Sequence, residues 1–372
     1  LEIQPWTFDV KHSLIYYSDS FTFFSFSSCP SWFGLDNNPL TERRIKMKKP
    51  IVQKSIRMIF PVALIIFLWS SAIFASEQYE LIAEWGGFGE EDGQFISPLG
   101  LTLDSENNIY VTDISLSRIQ KFTSEGEFIS QWGETGKGDG QFDSPWGIAI
   151  DEEDNVYVSD MFNDRIQKFT SDGEFITSWS TRLKGVWRLV SMPQGLAVDH
   201  EGNVYVYHVS EILPFLGLPK SYLQKFDAEG LFTKKWVYWN IAMELALDSE
   251  GNLYAPGFIF GEIHKFSADG AVIDRWGSCR STSGEIACFP TAIAFDSVDN
   301  VYVTDYLYYN IKKFTSDGEF ITSWKMENSG GFTSHPTPYG LAVDSEGFVY
   351  VVDGATETIK KYGKTSDGTN NN

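Results

Sequence analysis

The chain repeats itself about every 48 residues, and that period limits its fold more than any other property. A short apolar run closing on aspartate appears as GLTLD (100–104), GIAID (147–151), GLAVD (195–199), ELALD (244–248), AIAFD (292–296) and GLAVD (340–344). The closing aspartates Asp104, Asp151, Asp199, Asp248, Asp296 and Asp344 lie 47, 48, 49, 48 and 48 residues apart. A second run follows each time as NIYVTD, NVYVSD, NVYVYH, NLYAPG, NVYVTD and FVYVVD. A third reads RIQKF, RIQKF, YLQKF, EIHKF, NIKKF and TIKKY. A fourth ends on Trp132, Trp179, Trp236, Trp276 or Trp324.

Alternation such as V-Y-V and I-Q-K-F sends every second side chain to one face of a strand. Between the runs lie Asp-Gly and Glu-Gly pairs, which supply the positive φ of tight turns. Four short strands per unit, six times over, describe an all-β fold: a six-bladed β-propeller of four-stranded antiparallel blades. The last unit stops at Tyr362 with no fourth strand, and the missing piece stands at the other end as LIAEWGG (81–87). Its Trp85 lies 19 residues before Asp104, as Trp132 lies 19 before Asp151. The N-terminal strand is therefore expected to join the last blade and close the ring, leaving no radial edge. The propeller is placed at 79–363, with 364–372 as a flexible tail.

Ahead of it the composition changes. Met58 to Ala75 carries no charge over 18 residues, and RRIKMKKPIVQKSIR before it holds seven basic residues between Arg43 and Arg57. Segment 47–75 is read as a signal peptide, cleaved near Ala72 or Ala75, or as a membrane anchor. Either leaves the body outside the cytoplasm, secreted or tethered to a membrane through 58–75. Residues 1–46 are read as an upstream extension with little structure, Met47 being a natural translation start. The formal charge is -21; residues 1–75 hold 8 basic and 5 acidic residues, so the remainder holds 21 and 45. That imbalance argues against nucleic acid as a partner, because phosphate recognition needs clustered Lys and Arg.

The stretch SPWGIAIDEEDNVYVSDMFNDRIQKFTSDGEFITSWS, with GKGDGQF before it, resembles the NHL repeat family. GEEDGQFISPLG (89–100) matches the same linker. The resemblance covers roughly residues 79–362 and implies the six-bladed fold. For function it leaves open protein- and RNA-binding modules, peptide-amidating lyases and, more distantly, sugar-lactone hydrolases.

Repeat residues build blades, so departures from the repeat are the places to look for function. In blade 3, His208 to Phe226 spans 18 residues where Asp160 to Phe169 spans 9. The addition, HVSEILPFLGLPKSY, brings Ile212, Leu213, Phe215 and Leu216 beside two prolines, apolar for a surface loop. In blade 4, Trp236 to Asp248 takes 12 residues instead of 19 or 20, through an aromatic linker containing Trp239. The same blade ends its second strand on Pro256-Gly257 in place of aspartate, just before Phe258. Cys279 and Cys288, nine apart in one linker, are expected to form a local disulfide in an exported protein.

Catalysis finds less support in the residues. A lyase-like zinc centre would need several histidines; of His200, His208, His264 and His335, only His208 and His335 occupy suggestive positions. A lactonase-like calcium site would need carboxylates in one special place, whereas the aspartates recur in every blade and suit turn formation. The expectation is a binding module without cofactor, engaging a protein, peptide or glycan through His208, Ile212, Leu213, Phe215, Leu216, Trp239, Phe258 and His335. The alternative is a lyase or hydrolase dependent on Ca or Zn.

Overall fold

The apolar runs become strands where neighbours can cover them, and the computed structural model shows how. It describes residues 77–182, 192–212, 219–277, 289–327 and 335–365. Six four-stranded antiparallel sheets are present, each ordered from an inner to an outer strand. In blade 2 these are Pro145–Ile150, Val156–Asp160, Arg165–Phe169 and Phe175–Ser180. Second strands such as Ile109–Asp113 and Val156–Asp160 are buried at every position. A sheet lying between two other sheets has no solvent face, so its middle strand cannot be amphipathic. The outer strand Phe128–Trp132, by contrast, has no fully buried position.

Each inner strand ends in a carboxylate that organises the turn beyond it. Asp151 Oδ1 accepts the amides of Glu153 and Asn155 at 3.1 and 2.8 Å. Its Oδ2 accepts the Tyr157 hydroxyl at 2.9 Å and pairs with Lys168 Nζ at 3.1 Å. Burial opposes the charge, but the hydrogen bonds from Asn155, Lys168 and Tyr157 outweigh it and hold the Asp151 pKa below the ordinary value. Asp104, Asp248 and Asp296 are lowered in the same way. The repeated carboxylates are thus turn-builders, as their recurrence suggests.

The second-strand aspartates do a different job: they grip the incoming linker. Asp113 accepts Ile96 N and Ser97 N at 2.9 and 3.1 Å, and Asp353 accepts Thr337 N and Ala355 N at 2.8 and 3.0 Å. Asp160 also bonds Arg165 within its own hairpin at 2.7 Å. Arg118 does not repeat it with Asp113; its guanidinium donates to the carbonyls of Glu90, Glu91 and Gln94 in the linker.

Neighbouring blades interlock through tryptophan and glycine. Gly173 turns with φ +85, and a Cβ there would lie 2.6 Å from the Trp132 ring of the preceding blade. Trp85, Trp179, Trp236 and Trp276 cover Gly126, Gly230, Gly270 and Gly318 alike. Trp324 has no such turn to cover, because the last blade is completed from elsewhere. Strand Tyr79–Gly86 pairs antiparallel with Thr358–Lys364, as the split repeat predicts. Its Tyr79 ring stacks on Trp324 at 4.0 Å and 13°, replacing the glycine turn at the seam.

Candidate functional site

Around the axis, the first residue of each inner run is Gly100, Gly147, Gly195, Glu244, Ala292 or Gly340. The glycines are required by proximity. A Cβ on Gly100 would lie 2.5 Å from Trp146 O, on Gly147 2.5 Å from Gln194 O, and on Gly340 2.5 Å from Leu99 O. Four inner strands therefore meet without room for side chains. Hydroxyls bind them further: Thr112 Oγ1 accepts Gly100 N at 2.9 Å and donates to Trp146 O of the next blade at 2.8 Å. Ser159 repeats this with Gly147 N and Gln194 O at 2.8 and 2.7 Å.

Blade 4 breaks the pattern. Its inner strand is only Ala246–Leu247, and Pro256 stands where Thr112 and Ser159 provide hydroxyls. In the room so gained, Glu244 enters the axis. It borders a void of about 10 Å³ that is also lined by Leu99, Met243, Thr291 and Tyr339. Such a space holds about one water molecule. Part of the residue faces the void, while its Oε2 is sealed from solvent and has no hydrogen-bond partner. Burial pushes the Glu244 pKa well above the ordinary value, against a smaller opposite pull from the amides of Ile293 and Leu341. Burial thus favours the uncharged carboxylic acid, which can give up a proton.

Tyr339, on the wall of the same void, is pushed up to about 12 by burial, with Tyr306 and Asp353 adding to the shift. Tyr306 belongs to an aromatic cluster in which the Phe258 ring lies 5.2 Å from Phe289 and 6.3 Å from Tyr306. Thr291 is already engaged, its hydroxyl donating to Pro338 O at 2.6 Å. The proton-bearing groups beside the void are therefore Glu244 and Tyr339.

A larger recess, about 240 Å³, opens at the opposite end of the axis between Asp151, Asp199 and Asp248. Those carboxylates already pair with Lys168, Lys225 and Lys265. The recess is a by-product of turn construction.

The sequence-selected residues do not form one site. His208 is 1% exposed and lies in the second strand of blade 3 opposite Pro193, where other blades carry aspartate. Burial, with a lesser contribution from Lys235, lowers its pKa to about 4, so it is neutral at physiological pH. Ile212 pairs with Pro219 where the enlarged hairpin leaves the sheet. Leu213, Phe215, Leu216, Cys279, Cys288 and the whole of 1–76 lie outside the described residues. Trp239 is 58% exposed, and Phe258 is half-buried in its cluster. His335 is exposed and stacks on Tyr309 at 4.7 Å. Among the described residues, no group of three or more His, Cys, Asp or Glu is placed to hold a metal ion. Glu244 was missed by sequence reasoning; the glutamate opening ELALD, where four of its counterparts have glycine, was the available signal.

Comparison with known proteins fits this fold. A family profile described as a 6-bladed beta-propeller matches residues 91–229. No curated protein matches the chain in sequence. Among solved structures, a luciferin-regenerating enzyme is 15% identical, with a TM-score of 0.58 over 78% of this chain and 96% of the other. A gluconolactonase from Xanthomonas campestris is 15% identical, with a TM-score of 0.56 over 79% and 93%. A virginiamycin B lyase from Staphylococcus aureus, solved with quinupristin, is 14% identical, with a TM-score of 0.52 over 77% and 99%. At such identities the likeness is one of fold. It nevertheless overturns the expected preference for a non-enzymatic binding module, because these similar propellers are enzymes.

Proposed function

We propose that this propeller is an enzyme, a lyase or hydrolase acting at the linker-side mouth of the axis with Glu244 as its proton-transferring group. The observation that carries this reading is a single buried carboxyl in a ring otherwise made of glycine and alanine. A catalytic group is expected to occur once, in an environment that shifts its pKa. In the protonated form that burial favours, Glu244 donates its proton to the oxygen on which charge develops as a bond breaks, and recovers it as product forms. Tyr339 supplies a second neutral donor from the same wall. The void admits a water-sized group, so the body of the substrate rests outside it and only the reacting group reaches Glu244. No step is assigned to a metal.

The names of the similar structures suggest two first substrates, gluconolactone and the streptogramin quinupristin. The purified full chain is incubated with each, with and without added Ca or Zn, and products are followed by mass spectrometry. Turnover by the parent that disappears in Glu244→Gln supports the reading; turnover at the parental rate in that variant sinks it. The same proposal places the enzyme outside the cytoplasm and reads its blades as NHL-type, on the strength of the basic-apolar head and the repeated SPWGIAID-like units.

A further inference from the structure

We propose that Asn240 is the positioning residue of the axial carboxyl: its side chain replaces the aspartate missing from blade 4 and thereby fixes the shortened linker that carries Glu244. This rests on the reading of Glu244 given above. In blade 6, Asp353 Oδ1 accepts Thr337 N, from the residue before the inner strand, and Ala355 N, two positions past the aspartate itself. In blade 4, Asn240 Oδ1 accepts Ile241 N at 2.9 Å and Ile259 N at 3.0 Å. Ile241 and Ile259 hold the same two repeat positions as Thr337 and Ala355. The acceptor has moved from the strand to the linker, and the amides it serves have not changed.

The geometry at Gly257, which stands at the aspartate position, shows the exchange directly. A Cβ there would lie 2.1 Å from Asn240 Nδ2, so the asparagine occupies the volume an aspartate would need. Two further bonds hold the linker: the Tyr207 hydroxyl donates to Asn240 O at 3.0 Å, and Phe258 N donates to Ile241 O at 2.9 Å. Glu244 follows Asn240 by four residues, with no strand pairing until Ala246. The clamp is thus the last fixed point before the axis.

The exchange also removes a charge from this position. Buried Asp305 and Asp353 are paired with Lys312 and Lys360 at 3.0 and 2.9 Å. In blade 4 the matching third-strand position is His264, which bonds Glu262 instead. A carboxylate there would lack a lysine partner, and an amide carries no charge to compensate.

Exchange of the two positions tests the inference. Asn240→Gly, Gly257→Asn and the double variant are made in the full chain, asparagine being used at 257 because it offers the acceptor oxygen without a charge. The midpoint of Glu244 protonation is followed by infrared spectroscopy of its carboxyl band, assigned by its loss in Glu244→Gln; Tyr339 is the other titratable group lining the void. Asn240→Gly is expected to release the linker and bring the midpoint down toward that of ordinary glutamate. Gly257→Asn alone is expected to displace it as well, through the clash with Asn240. The double variant, which rebuilds the clamp in its usual place, is expected to return the midpoint to the parental value. A folded Asn240→Gly protein with the parental midpoint overturns the inference, as does a double variant no better than either single one. If Asn240→Gly does not fold, recovery of both fold and midpoint in the double variant decides in favour. The midpoint needs no substrate, so an inactive parent whose midpoint still moves with Asn240 supports the positioning role while refuting the enzymatic reading.

Discussion

Blades 1 and 2 and blade 4 come from one repeat, yet they treat the axis in opposite ways. In the regular sector a glycine, a hydroxyl and an aspartate bring the inner strands together, and nothing else enters. In blade 4 all three are replaced, by Glu244, Pro256 and the Asn240–Gly257 pair. The difference teaches that the ring admits a long side chain in its innermost layer where linker, inner strand and second strand have all changed together. An alanine-sized group fits at position 292; a glutamate needs the inner strand cut to two residues.

The sharpest way to break this comparison is to remove the carboxyl while keeping its shape. Glu244→Gln is expected to lower turnover by roughly 10²–10⁴-fold, the usual worth of a general acid or base. An effect on KM alone would move Glu244 from chemistry to binding. The seam offers the next largest effect. Tyr79→Ala removes the ring stacked on Trp324 and should cost about 3 kcal/mol in urea unfolding, as loss of a large buried aromatic does.

The glycines come next, and they separate crowding from backbone strain. Gly173→Ala combines φ +85 with a Cβ 2.6 Å from Trp132, and is expected to lose about 2 kcal/mol or more. Gly251→Ala has φ +77 and open space, so strain of about 1 kcal/mol is expected alone. Equal losses would mean that the tryptophan packing does not restrict the turn.

Stability against pH separates the two sectors further. Glu244 binds its proton more tightly when folded. Its contribution is complete below the ordinary glutamate value of 4.5 and falls as pH rises toward the raised folded value, by about 1.4 kcal/mol per pH unit. Glu244→Gln should flatten that slope in urea titrations. The turn aspartates Asp104, Asp151, Asp248 and Asp296 have lowered values, so their contribution is complete above the ordinary 3.8 and is lost as pH falls. The smallest effect is expected from Thr112→Val, which unstitches blade 1 from blade 2 for about 1 kcal/mol and has no counterpart in blade 4.

The blades, their number and their closure were legible because they follow from spacing. A strand missing at one end and a Trp85 in register at the other leave one economical ring. The turn role of the aspartates was legible too, since a group present in every blade serves every blade. Glu244 was visible in ELALD but lacked meaning: its weight comes from how closely the inner strands approach, a distance the alignment does not contain. Asn240 was hidden for a related reason. It substitutes for a residue 17 positions later, at Gly257, and only the fold shows that the two compete for one volume. The preference for binding over catalysis rested on repeated carboxylates and scattered histidines, and so weighed the scaffold in place of the axis.

The closing strand also sets an order of events. The carboxylate of Glu77 and the amine of Lys364, 287 residues apart, bond at 2.8 Å beside that strand. Blades 1 to 5 are each made of contiguous chain and can form as they are synthesised. Blade 6 must wait, keeping the edge of Thr358–Lys364 open until the oldest strand meets the newest. The same seam that finishes the ring therefore marks the moment when the growing chain is most exposed to pairing with a second copy of itself.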